Sequence, residues 1–162
     1  MKIGLFYGST LGAAKSVAEE LGALLEAEIF DVAKGIDSIN DYTNLIFGTN
    51  TWGYGDLQDD WEGVKTTLEK INFTGKKVAI YSTGDAEGYS DTFVDAIGIL
   101  GEIVEKNGGT LIGITSTEGY VFNNSKGLRD GVFMGLAIDN NNQGNLTKDR
   151  VNKWVEQIKG EF

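Results

Sequence analysis

Residues 2–15, KIGLFYGSTLGAAK, set the pattern that the rest of the chain repeats. The run Ile3-Gly4-Leu5-Phe6-Tyr7 is apolar on both sides of an extended chain, which suits a strand covered on two faces. Gly8 to Gly12 form a turn, and Val17, Leu21, Leu24 and Leu25 beyond it fall at helical spacing. A glycine-bounded turn between a strand and a helix can aim backbone N–H groups at an anion. Walker A is excluded, because Gly8 and Gly12 stand too close together and Lys15 is misplaced for G-x-x-x-x-G-K-[ST]. The dinucleotide fingerprint G-x-G-x-x-G fails as well, since Ser9-Thr10 follows Gly8. What is left is a short Ser/Thr-Gly loop, suited to a monophosphate and independent of any lysine.

The alternation continues outward. Short apolar runs at Ile29–Val32, Asn44–Gly48, Lys77–Tyr81 and Thr110–Ile114 predict strands. Between them, Trp61, Val64, Leu68 and Ile71 predict one helix. Phe93, Val94, Ile97, Leu100, Ile103 and Val104 predict another, closing at Asn107-Gly108-Gly109. The final helix has Thr147 as its expected N-cap and a stripe of Val151, Trp154, Val155, Ile158 and Phe162. Apolar strands separated by helices imply an α/β fold with a doubly wound parallel sheet covered on both faces, in one domain over residues 1–162. Ser116–Asp139 breaks the rhythm. Val132–Ile138 within it reads as a strand, so the last sheet strand is expected to be interrupted by an insertion.

Composition narrows the chemistry. The 162 residues include no cysteine and no histidine, which removes disulfides, thiolate nucleophiles, Ser-His triads and the usual zinc sites. With so little catalytic equipment of its own, the chain is expected to borrow chemistry from a cofactor. A net charge of −10 disfavours nucleic acid and suits either solubility or basic partners. No apolar run approaches the ~18 residues of a membrane span. The start has no signal-peptide pattern, and a cytoplasmic location is the expectation.

In such sheets ligands bind beyond the carboxyl ends of the strands. Three loops fall there: GSTLGAAK from Gly8, GTNTWGYGDLQDDW from Gly48, and STGDAEGYSDTF from Ser82. The second carries Trp52 and the third Tyr89, aromatics in glycine-rich loops beside the anion turn. Together they make two walls for a flat ring that bears a phosphate.

With these loops in order, the chain resembles the flavodoxins, small FMN-binding electron carriers, over its whole length. KIGLFYGSTLG resembles the family's phosphate loop, TWGYGDLQDDW and STGDAEGYSDTF its two flavin loops, and Thr117–Ile138 the insertion that splits the fifth strand in long-chain members. The resemblance implies a flavodoxin-like five-stranded parallel sheet and a non-covalently bound FMN. It assigns the phosphate to Ser9, Thr10, Leu11, Gly12, Ala13 and Ala14, with Thr51 close by, and places Asn50 beside that threonine. Trp52 would stack on the inner flavin face and Tyr89 on the outer. Thr83, Gly84 and Asp85 would line the pyrimidine and ribityl side, and Gly55 and Asp91 complete the implied set. The Gly53–Tyr54 peptide would flip to accept a hydrogen bond from flavin N5 in a neutral semiquinone. Carboxylates at Asp56, Asp59, Asp60, Asp85, Glu87 and Asp91 would make the second reduction step difficult, giving a low potential, while Glu62 beside them reads as solvated surface. Implied partners are basic redox proteins, such as a flavodoxin/ferredoxin-NADP reductase and an electron-accepting enzyme, met by a monomer.

The chain departs from the family pattern in ways that matter. Leu11 and Ala14 stand where hydroxyls are common, so backbone amides are expected to carry most of the phosphate anchoring. Asn50 replaces a common proline, which is expected to loosen its loop. An FMN-dependent NAD(P)H reductase of quinones or azo dyes is the alternative on this fold, and a binding protein that has lost FMN is a further one. A receiver domain is excluded, because its acidic pair, phosphoacceptor and lysine are missing from Gly8-Ser9-Thr10, Gly48-Thr49-Asn50 and Thr115-Ser116-Thr117.

Overall fold

The computed structural model describes residues 2–162. The chain runs β1 (Ile3–Tyr7), α1 (Ala13–Leu25), β2 (Glu28–Asp31), β3 (Asn44–Trp52), β4 (Asp56–Leu57), α2 (Asp59–Leu68), β5 (Lys77–Thr83), α3 (Asp95–Lys106) and β6 (Thr110–Ile112). A hairpin of β7 (Leu128–Arg129) and β8 (Val132–Phe133) follows, then β9 (Leu136–Ile138), α4 (Asn140–Gln143) and α5 (Thr147–Glu161). The parallel order is β2-β1-β3-β5, with β6 and β9 sharing the next position. β6 pairs with Lys77–Ala79 and β9 with Tyr81–Thr83, so the fifth strand is split, as the sequence led one to expect.

Each face of the sheet carries its own core. Val17, Ala18 and Leu21 of α1 and Val151, Trp154 and Val155 of α5 pack with Leu5, Ile46 and Tyr81 on one face. Trp61 of α2 and Ile97, Leu100 and Val104 of α3 pack with Phe6, Phe47 and Ile80 on the other. Among the described residues, no helix is long and apolar enough to cross a membrane.

Several expectations from the sequence need correction. Leu24 is 43% exposed, and Ala14 and Ala18 fill the face of α1 that it was expected to share. The strand expected at Ile29–Val32 runs from Glu28 to Asp31, and Val32 begins a 3-10 turn that the Asp31 side chain caps. β3 and β5 continue to Trp52 and Thr83, past the end of their apolar runs, because their pairing extends to Asn50 opposite Thr83 and the last two residues of β3 pair with β4. Ile71 lies beyond α2, while Phe93 and Val94 precede α3, with Val94 in a left-handed conformation at φ 47°. Thr147 is the first helical residue of α5 rather than its cap, and its hydroxyl bonds Asn140 Oδ1 at 2.6 Å. Val132–Ile138 is not one strand. Met134 N–H donates to Gly127 O, and Gly135 lies so close to the sheet that a Cβ would meet the Ile80 carbonyl oxygen at 2.1 Å. β6 stops at Ile112 because Gly113, at φ 77°, turns the chain away.

One residue of β3 joins the two faces. Gly48 O accepts Gly8 N–H at 3.0 Å and Trp61 Nε1–H at 2.9 Å. Where its side chain would stand, the Tyr81 ring lies 2.1 Å from an ideal Cβ, and the Tyr81 hydroxyl donates to Ala14 O at 2.8 Å in the first turn of α1. Burial drives the Tyr81 phenol well above its usual pKa, so it remains a donor. Gly48→Ala is expected to push Tyr81 off Ala14 and destabilise the apo-protein by about 1–3 kcal/mol. Tyr81→Phe, which loses only the hydrogen bond, is expected to cost about 1 kcal/mol. Urea unfolding followed by circular dichroism compares them.

Candidate binding cleft

Ligands on doubly wound sheets lie where the strand order reverses, a rule for which flavodoxins are themselves an example; here that point falls between β1 and β3. A cleft of about 420 Å³ opens there. A larger hollow, about 570 Å³, lies between α2 and α3 around Ile99 and Ile103, away from the strand ends.

Thr10, Leu11 and Ala13 of the first loop line the cleft at one end. Leu11 and Gly12 both have positive φ, 63° and 86°, before α1 begins. The N-cap residue of α1 is Gly12, which has no side chain to cap with, and the first turn holds no acidic residue. The amides of Leu11, Gly12, Ala13 and Ala14 find no acceptor among the described residues. Such a helix start favours an anion through its unpaired N–H groups and the aligned peptide dipoles. Two hydroxyls are already arranged to help. Ser9 Oγ accepts Lys15 N–H at 3.1 Å and Thr10 Oγ1 accepts from Gln58 Nε2 at 3.3 Å, so each has its hydrogen free.

Ala14 changes meaning in the structure. Its side chain is fully buried in the α1 core, and only its backbone belongs to the turn. Thr51, expected near the phosphate, has its hydroxyl committed inside the protein. It accepts Ala96 N–H at 3.1 Å and lies 3.0 Å from Ser82 Oγ, which itself donates to Thr83 O.

The second loop contributes Asn50, Thr51, Trp52 and Gly53 to the lining, and the third Thr83, Gly84, Asp85 and Tyr89. Trp52 and Tyr89 are each 44% exposed, so neither folds back into the core. Tyr54 is 88% exposed and sets its ring edge-on to Tyr89, centroids 6.0 Å apart. Gly53 and Gly55 both have positive φ on either side of Tyr54, and Gly55 is buried against the Asp95 carboxylate. Ser9, Gly12, Ala14, Tyr54, Gly55 and Asp91, also expected at the site, are not among the residues that line the cleft, and Asp91 is exposed.

Asn140 and Asn141 also line the cleft, and the sequence reading missed them. The signal was available: they follow β9 and so occupy the fourth strand-end loop. Asn141 and Asn142 donate to Asp85 at 3.0 and 2.8 Å, and the Gly88 amide donates to it at 2.8 Å. The Gly88 amide, with Asn142, Asn141 and the Glu87 amide, lowers the Asp85 pKa against a smaller opposing effect of burial. Asp85 therefore organises its own loop and ties it to the one after β9.

The comparisons with known proteins agree on one family. The family model described as flavodoxin matches residues 5–154. A flavodoxin from a Nostoc species is 49% identical over 99% of this chain and 97% of its own. That of Haemophilus influenzae is 44% identical over 99% and 95%. The solved structure of Fusobacterium nucleatum flavodoxin bound to flavin mononucleotide superposes with a TM-score of 0.96 at 35% identity, covering 99% of this chain and 98% of that one.

The Asp85 geometry sets a pH dependence. A carboxylate whose folded pKa is lowered stabilises the fold above its ordinary value of 3.8 and loses that effect as pH falls through the lowered one. Asp85→Asn is expected to lower Tm by about 2–4 °C at neutral pH. The gap to wild type should close as thermal scans are taken below pH 4.

Proposed function

The chain belongs to the flavodoxin family, and on that premise we propose that it is a one-electron carrier that holds FMN in this cleft. The observation that carries the reading is what the cleft brings together. A helix start with four free amides and two half-exposed aromatics meet at one cleft.

The residues present fit the cofactor. The Leu11–Ala14 amides, with the Ser9 and Thr10 hydroxyls, would hold the phosphate. Trp52 and Tyr89 would flank the ring, and Thr83, Gly84, Asp85, Asn140 and Asn141 would meet its polar edge and the ribityl chain. Bound FMN supplies reversible one-electron transfer. The chain's part is to hold the ring, limit water at its faces and manage the proton at its N5 edge. The Gly53 peptide oxygen is suited to that last task, since glycines at 53 and 55 let the turn rotate at little steric cost.

Charge sets the direction of the potential. Asp56, Asp59, Glu62, Glu87 and Asp91 are exposed around the two aromatic loops, and Asp60 is half-buried. Added electrons meet this negative field, which lowers the potential of the more reduced couple. The same rim steers basic redox partners, such as a flavodoxin/ferredoxin-NADP reductase, towards the cleft of a monomeric carrier in the cytoplasm.

A potentiometric titration of the FMN-loaded protein is expected to resolve two one-electron steps, the second at low potential. A single unresolved two-electron wave contradicts the carrier reading. Trp52→Ala is expected to weaken FMN binding about tenfold by fluorescence titration. A self-sufficient NAD(P)H reductase is tested in the same preparation. The loaded protein should leave NADPH unoxidised until a reductase is added, and rapid turnover alone would overturn the proposal.

A further inference from the structure

Asn50 stands where the sequence led us to expect a loosened loop, and the structure gives it a different part. It is 5% exposed and sits on β3 opposite Thr83 of β5. Its Oδ1 accepts Thr10 N–H at 2.8 Å, and its Nδ2 donates to Thr83 Oγ1. One side chain thereby joins the first three of the four loops that form the cleft.

The arrangement has only one possible polarity. A backbone N–H can only donate, so Thr10 requires the amide oxygen of Asn50. The Asn50 NH₂ group must then face Thr83, and it too can only donate. Thr83 Oγ1 is thus forced to accept, and its single hydrogen must point elsewhere. Thr83 lines the cleft, and its hydroxyl hydrogen has no acceptor among the described residues.

We infer that Asn50 is a positioning residue that fixes Thr83 as a hydrogen-bond donor into the cleft, towards an acceptor atom of the ring or ribityl portion of the flavin. The inference rests on the FMN reading given above. It also explains how the phosphate loop stays in place although the Thr10 amide is spent within the protein. That amide ties the loop to β3, and the following amides are left for the anion.

An isosteric change separates polarity from bracing. In Asn50→Asp the carboxylate still accepts from Thr10 N–H, so the brace survives. It has no donor for Thr83, so the Thr83 hydroxyl must turn its hydrogen to residue 50 and present a lone pair to the ligand. Riboflavin is the probe for the cycle, because it lacks the phosphate that a new negative charge would repel. FMN is titrated in parallel, and any charge penalty there cancels from the cycle.

Apo-protein is titrated by flavin fluorescence for wild type, Asn50→Asp, Thr83→Val and the double variant. Asn50→Asp and Thr83→Val are each expected to weaken binding about tenfold. In the Thr83→Val background, Asn50→Asp should cost no more than about a further twofold. Hydrogen exchange at the Thr10 amide should stay slow in Asn50→Asp and become fast in Asn50→Ala, which reports the brace independently of the ligand. Unchanged flavin affinity in Asn50→Asp, or losses that simply add, would overturn the inference while leaving the FMN reading intact. A wild-type protein that takes up neither flavin would overturn the FMN reading itself, and this inference with it.

Discussion

The carbonyl of Gly48 is the point on which the cleft depends. It accepts from Gly8 at the entry to the anion loop and from the Trp61 indole at the entry to α2. The missing side chain at 48 admits the Tyr81 ring, whose hydroxyl holds the first turn of α1 through Ala14 O. Gly8 is constrained in the same way, since a Cβ there would meet Gln58 Oε1 at 2.2 Å. Gln58 in turn accepts from the first amides of α2. The two helix starts around the cleft are therefore placed by one tightly packed layer across the centre of the sheet. Close packing of this kind leaves little room to adjust, which is what a preorganised site requires.

A protein with a net charge of −10 holds its proposed anion without placing a basic side chain in the cleft lining. Backbone dipoles make this feasible, because unpaired amides at a helix start attract an anion locally while the exposed carboxylates act over longer distances. The local hydrogen-bond pattern reinforces the effect. Ser9, Thr10 and Thr83 each accept from an N–H, so each keeps its hydrogen free to donate to a ligand. Donors thus accumulate along and beside the cleft, while the acidic groups remain at the rim or, like Asp85, are occupied by their own loop and by Asn141 and Asn142.

The fold was largely legible because buried parallel strands must be apolar throughout and helices must carry one apolar face. The split fifth strand was legible from the break between Ser116 and Asp139. Less legible were features fixed by tertiary contact. The length of β3 and β5 depends on pairing between polar residues, and the end of β6 on Gly113 at φ 77°. In the cleft, residue types in the strand-end loops pointed to Trp52 and Tyr89, which the structure brings to its lining. The part assigned to Asn50 could not be read from the sequence. Its meaning lies in which donor meets which acceptor across sequence separations of 40 and 33 residues. Ala14 shows the same limit, since its place in a motif said nothing about its burial.

These features support the proposed reading, in which the phosphate lies at the start of α1 and the ring between Trp52 and Tyr89. Backbone amide NMR shifts, recorded as apo-protein is titrated with FMN and then separately with riboflavin, test that arrangement most directly. The account predicts that both ligands perturb Trp52, Thr83 and Tyr89, and that only FMN strongly shifts the Leu11–Ala14 amides downfield. Equal shifts at Leu11–Ala14 with both ligands, or none with FMN, would contradict it.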